Sequence, residues 1–116
     1  MSVFIVQEPQ KRDEVSGQMV SMFDFRKVLE YGDPVVCLTG GRVGLSPGPT
    51  TQILSDKLRN FSDNDYLVPT GDPSAIAIAG AIASRNNSGR MKILKWDKES
   101  RRYILVNVNL YPGREA

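Results

Sequence analysis

Histidine is absent from the 116 residues, and cysteine occurs once, as Cys37. Without histidine the chain lacks the commonest general base, the usual transition-metal ligand and the middle member of Ser-His-Asp or Cys-His arrangements. Any catalysis would rest on carboxylates, lysine, tyrosine or a metal held by oxygen. A lone cysteine forms no intrachain disulfide, which fits a reducing compartment, and its place in the apolar run PVVCL suits a buried small hydrophobe. Long apolar runs are also missing. The longest, residues 75–83, is far short of the ~20 needed to span a bilayer. The start MSVFIVQEPQKR lacks a basic n-region followed by a cleavable apolar stretch. The expectation is a soluble cytoplasmic protein without a membrane partner.

What is present is an ordinary globular balance: 41% hydrophobic and 24% charged residues, which argues against a disordered or fibrous chain. At this length a single core is sufficient, so residues 1–116 are expected to form one domain. Val3, Phe4, Ile5 and Val6 before Pro9 read as a strand. The polar stretch QKRDEVSGQ reads as an exposed loop or a wide hairpin turn. Asp24 is placed to cap a two-turn helix over FRKVLEY, which Gly32 would end. The continuous apolar run 34–39 predicts a central strand covered on both faces.

A helix is expected from about Thr50 to Asn60, with Ile53, Leu54, Lys57, Leu58 and Phe61 along one stripe. After a short strand at 66–69, Asp72 and Pro73 open a helix over 74–85 that is alanine, isoleucine and glycine almost all round. Ala75, Ala79, Gly80 and Ala83 would let it approach the sheet closely, or a second subunit in a homo-oligomer. Residues 91–96 and 102–110 read as two strands of an edge hairpin, with Ile104, Val106, Val108 and Leu110 on one face. Alternation of strand and helix requires right-handed crossovers and parallel pairing. The predicted fold is therefore α/β: a small three-layer, Rossmann-like sheet with parallel central strands, an antiparallel C-terminal hairpin and an N-terminal edge strand. The runs 35–38, 66–68 and 91–94 are expected side by side.

Three groups of residues can carry a function. At the strand-to-helix junctions 40–51 and 70–74, free N–H groups and helix dipoles favour an anion. Arg42 would supply charge there, and Thr39, Ser46, Thr50, Thr51 and Thr70 hydroxyl donors, making a nucleotide or phosphate pocket. The loop matches neither G-x-G-x-x-G nor the P-loop, and Asp72 already fills the donors of the second helix. The second group is basic. Arg85, Arg90, Lys92, Lys95, Lys98, Arg101 and Arg102 are seven of the fifteen basic residues, opposed locally only by Asp97 and Glu99. With Trp96 and Tyr103, such a hairpin can follow a nucleic-acid backbone and stack bases, or be a solvated edge that discourages aggregation. The third group, Asp63, Asp65 and Asp72, has the oxygens for magnesium, but S-D-N-D-Y reads more readily as a turn. Neither a metal site nor a cofactor is predicted.

The stretches FIVQEP, DFRKVLEYGDPVV, KLRNFSDNDYLVPTGDPSAIAIAGAIA and GRMKILKWDKESRRYILVNVNL resemble a family of small proteins of tailed bacteriophages and environmental viruses. Its pattern joins an Asp-Tyr-Leu strand, a Gly-Asp-Pro junction, an alanine-rich helix and a Gly-Arg strand ending in tryptophan. The resemblance implies a viral source and residence in the host bacterial cytoplasm or the virion, and it transfers no catalytic residue. The functional expectation is a non-enzymatic phage accessory protein that binds a macromolecule. That partner would be a host or phage protein, or nucleic acid, held by Arg90, Lys92, Lys95, Trp96, Arg101 and Arg102. The alternatives are small-molecule binding at the junctions and a structural part of the virion.

Overall fold

A computed structural model of the chain describes residues 1–21, 23–39 and 48–113. Among the described residues seven strands and two α-helices follow one another: β1 (Ser2–Gln7), β2 (Gln10–Arg12), β3 (Met19–Ser21), β4 (Asp33–Leu38), α1 (Gly48–Lys57), β5 (Tyr66–Val68), α2 (Pro73–Asn86), β6 (Arg90–Asp97) and β7 (Arg102–Asn109). Five strands form one sheet in the order β4-β1-β5-β6-β7. The first four are parallel and β7 returns antiparallel to β6. This is the mixed α/β architecture expected, with one correction in strand order. β1 lies inside the sheet, between β4 and β5, and β4, expected at the centre, takes the edge expected for the N-terminal strand.

The burial of β1 explains its position. Val3, Ile5 and Val6 are inaccessible and Phe4 nearly so, so both faces of the strand are covered. Phe4 and Val6 face the layer of α1 and α2, with Leu54, Leu58, Phe61, Ala75, Ala79, Ile82 and Ala83. Val3 and Ile5 face the opposite layer, with Val28, Phe25 and Tyr31. The run at 34–39 misleads because β4, although at the edge, also has cover on both faces: Val35 and Cys37 pack on one side and Val36 on the other. The runs 35–38, 66–68 and 91–94 are accordingly parallel, but β1 separates the first from the second.

The chain leaves β1 for β4 on one side, then crosses back over β1 to β5. Right-handed crossovers in opposite directions lie on opposite faces. The residues agree: segment 23–31 covers one face, and α1 and α2 cover the other. In that segment the expected two-turn helix is one 3-10 turn, Phe25–Lys27, capped by Asp24 accepting from Arg26 N. Phe25, Val28 and Tyr31 recur every three residues and all meet the sheet. That spacing fits the three-residue 3-10 period better than 3.6.

α1 starts two residues before Thr50 and ends at Lys57, and its stripe is narrower than expected: Leu54 is buried but Ile53 is exposed. α2 begins as predicted, with Asp72 Oδ1 accepting from Ser74 N at 2.8 Å and Pro73 in the first turn. Asn86 Nδ2 donates to Leu58 O at 3.0 Å, fastening the end of α2 to the end of α1. The polar stretch after β1 is a separate antiparallel ribbon of β2 and β3.

Ala75, Ala79 and Ala83 meet the sheet, whereas a Cβ added at Gly80 would touch nothing within 4 Å. Gly80 therefore has no packing role and only weakens the helix. Gly80→Ala is expected to raise stability by about 0.5–1 kcal/mol in urea unfolding. A loss instead would show that this outer face of α2 is covered.

Candidate functional site

Segment 23–31 brings a line of aromatic rings across the face it covers. Tyr31 meets Tyr66 of β5 at 5.4 Å between centroids and Tyr103 of β7 at 6.4 Å, both edge-on. Tyr103 in turn meets Trp96 of β6 at 5.0 Å. Edge-to-face pairs of this kind add to the rings' burial and fix their orientation. The line ends at Trp96, which is 38% exposed. On one side of it lies a pocket of about 350 Å³ lined by Phe23, Asp24, Lys27, Thr70, Trp96 and Tyr103. On the other lies a groove of about 220 Å³ where Arg26, Glu30, Arg101 and Arg102 join Lys27, Trp96 and Tyr103. Thr70 and Trp96 mark the C-terminal ends of parallel strands, where ligands collect in open α/β sheets.

The groove is basic apart from Glu30, and Asp24 of the neighbouring pocket is paired with a groove arginine. Arg26 donates to Asp24 at 3.1 Å, holding that carboxyl below its usual range. Burial, with a smaller contribution from the Asp24 charge, pushes the Tyr103 phenol up, so it stays a neutral hydroxyl at physiological pH. Among the described residues, Lys27, Arg101 and Arg102 form no ion pair.

The six residues predicted for macromolecular contact do not form one ribbon. In β6, Arg90, Lys92 and Trp96 share the face of Leu94, which packs beside Val28, while Lys95 alternates to the face of Met91 and the helices. Arg90 makes a two-pronged bond to Asp63, with both contacts at 3.1 Å. Lys92 Nζ lies 4.2 Å above the Tyr66 ring. Trp96, Arg101 and Arg102 are brought together, and Lys27, Phe23 and Tyr103 join them. Lys27 and Phe23 lie some seventy residues from Trp96 in the chain, so no local spacing could have linked them to it.

At the junctions, Arg42 and Ser46 lie outside the described residues, and Thr50 falls in the first turn of α1. Thr39 and Thr70 are brought together around Gln7, which is nearly fully buried. Gln7 Oε1 accepts from Asp72 N at 2.7 Å, and its Nε2 donates to Thr39 O at 3.3 Å. Thr70 Oγ1 donates to Gln7 O at 2.8 Å. The sheet reverses its winding between β1 and β5, and at that point the chain's own amide meets the backbone groups a ligand would seek.

The three carboxylates with oxygens for a metal are separately engaged. Asp63 holds Arg90 and Asn87, and Asp72 caps α2. Asp65, nearly buried, accepts from Ser2 N at 3.0 Å and Ser62 N at 2.9 Å, tying the start of β1 to the turn before β5.

These features define a small doubly wound α/β protein with an aromatic and basic surface at one end of its sheet. The family model described as Phage Pam3 gp32-like protein matches residues 1–110, and the chain belongs to that family of phage proteins. No curated protein and no solved structure matches the chain.

Two outcomes follow from this geometry. Gly71 has φ +106°, and a Cβ there would collide with Gln7 Cβ and Oε1. Gly71→Ala is expected to lose at least about 2 kcal/mol in urea unfolding, from backbone strain and overlap together. The Asp63 carboxyl is held low by the Arg90 hydrogen bonds and then by Asn87. Such a group stabilises the fold above its unfolded pKa of about 4, and the benefit is lost as pH falls through the lower folded value. The stability gap between wild type and Asp63→Asn, small because the pair is exposed, should therefore be present at pH 7 and shrink as pH falls below about 4.

Proposed function

We propose that this phage protein works by binding, and that its Trp96 face engages a protein of the host or of the phage. The observation that carries this reading is the half-exposed Trp96 ring, steadied by Tyr103 and set between an apolar pocket and a basic groove. Tryptophan, tyrosine and arginine dominate the energetic centres of protein interfaces, because rigid rings exclude water around a few charged contacts. The protein would act inside the infected cell or on the phage particle.

Nucleic acid is the second reading. Trp96 offers a stacking surface, with Lys27, Arg101 and Arg102 beside it for phosphates. The dispersal of Arg90, Lys92 and Lys95 leaves a short basic track for an extended strand, which favours the protein partner. A small molecule at the junctions is favoured less, since Gln7 already occupies the donors there.

Capture from phage-infected host lysate tests the proposal, comparing wild type with folded Trp96→Ala and Lys95→Ala. The partner should survive nuclease treatment and the Lys95 change. Trp96→Ala should weaken its affinity about thirtyfold or more, corresponding to an interface loss of about 2 kcal/mol. Loss of the partner on nuclease treatment, with steep salt dependence, would transfer the reading to nucleic acid. Equal retention by Trp96→Ala would remove this face from the function.

A further inference from the structure

The two edges of the sheet are built differently. At one edge β4 opens with Asp33 and Pro34, a charge and a residue without an N–H, and its apolar side chains are covered on both faces. Such features discourage strand addition. At the other edge β7 runs for eight residues, and from Tyr103 to Leu110 it has no proline, glycine or charged residue. Ile104, Leu105 and Val106 are 43, 45 and 37% exposed, and they point alternately to both faces. A long, apolar and unprotected edge is a template for another strand.

The hydrogen-bond phase of β7 limits how a further strand can pair with it. Leu110 N donates to Gly89 O, so the even-numbered residues turn their backbone groups towards β6. Tyr103, Leu105, Asn107 and Asn109 therefore direct their N–H and C=O groups outward. Under a twofold axis through Val106, β7 pairs antiparallel with a copy of itself and every outward residue meets another outward residue: Tyr103 opposite Asn109, and Leu105 opposite Asn107. On the helix-covered face, Ile104 then meets Val108 and Val106 meets its own copy, an apolar seam of close pairs. Arg102 falls opposite Leu110, so the two copies of this charge lie at opposite ends of the ribbon. Hydrogen-bond phase, apolar pairing and charge separation are satisfied together in this self-complementary register, of the kind an isologous interface demands.

We propose that the chain forms a twofold homodimer through β7, joining two five-stranded sheets into one continuous sheet centred on Val106. Sedimentation over a concentration series up to millimolar should show a dimer. Val106→Lys, which sets like charges on the axis, should raise the dimer dissociation constant by at least about tenfold. Ala77→Lys, on the exposed side of α2, should leave it unchanged. The register has its own test. Val106→Cys places two thiols across a non-hydrogen-bonded pair, at about 4.5 Å between Cα atoms, within disulfide reach. Ile104→Cys places them about four residues apart along the ribbon, roughly 14 Å and out of reach. Buried Cys37, its thiol pushed up to about 11 by desolvation, should not compete. Mild oxidation should link Val106→Cys and spare Ile104→Cys. A wild type that sediments as a monomer throughout, dissociation by Ala77→Lys, or linkage of Ile104→Cys without Val106→Cys would each overturn the proposal.

Discussion

A strand that loses water from both faces must have a packed layer on each side, and β1 imposes that requirement on this fold. Val3 and Ile5 need one cover and Phe4 and Val6 the other. The chain meets the first demand with nine residues between Phe23 and Tyr31, and the second with two full helices. The unequal layers follow from the length available, since the segment from β1 to β4 also contains the β2–β3 ribbon. A single 3-10 turn covers little area, so its aromatic side chains extend the cover sideways. That is why rings reach as far as Trp96 and leave its edge in solvent. The aromatic surface is thus a by-product of how the thin layer covers the sheet.

Much of this architecture was legible in the chain, because strong local signals point one way. Asp72 and Pro73 mark the start of α2, and the alternation in β7 marks an edge hairpin. Strand order was not legible. A buried parallel strand shows no alternation whether it lies inside the sheet or at a well-covered edge, so the runs at 3–6 and 34–39 look alike. The division of the basic residues could have been read. Arg90, Lys92 and Trp96 are even and Lys95 is odd, which in a strand puts them on opposite faces, but a count of charges ignores that phase. Gln7 gave no signal, because a polar residue ending an apolar run looks like the end of a strand.

The two proposed surfaces have different physical characters. Around Trp96 the exposed groups are side chains of three separated segments, so recognition there would depend on tertiary structure being intact. Along β7 the outward groups are backbone, and their complementarity is a matter of phase. The first would read chemical identity and the second geometry, and they meet at Tyr103, which belongs to the ring line and to the edge strand alike.

The ribbon of β2 and β3 stands apart from these demands. Among the described residues its strands pair only with each other, and its turn is closed internally, with Asp13 N donating to Gln18 O and Arg12 to Gly17 O. At its tip Val15 is 96% exposed. Neither layer of the core draws a fully buried residue from it, so its length and sequence are released from the constraints on β1. Insertions, reporter groups or protease sites placed at this tip should be tolerated by the remainder of the chain, which makes it the natural handle on the molecule.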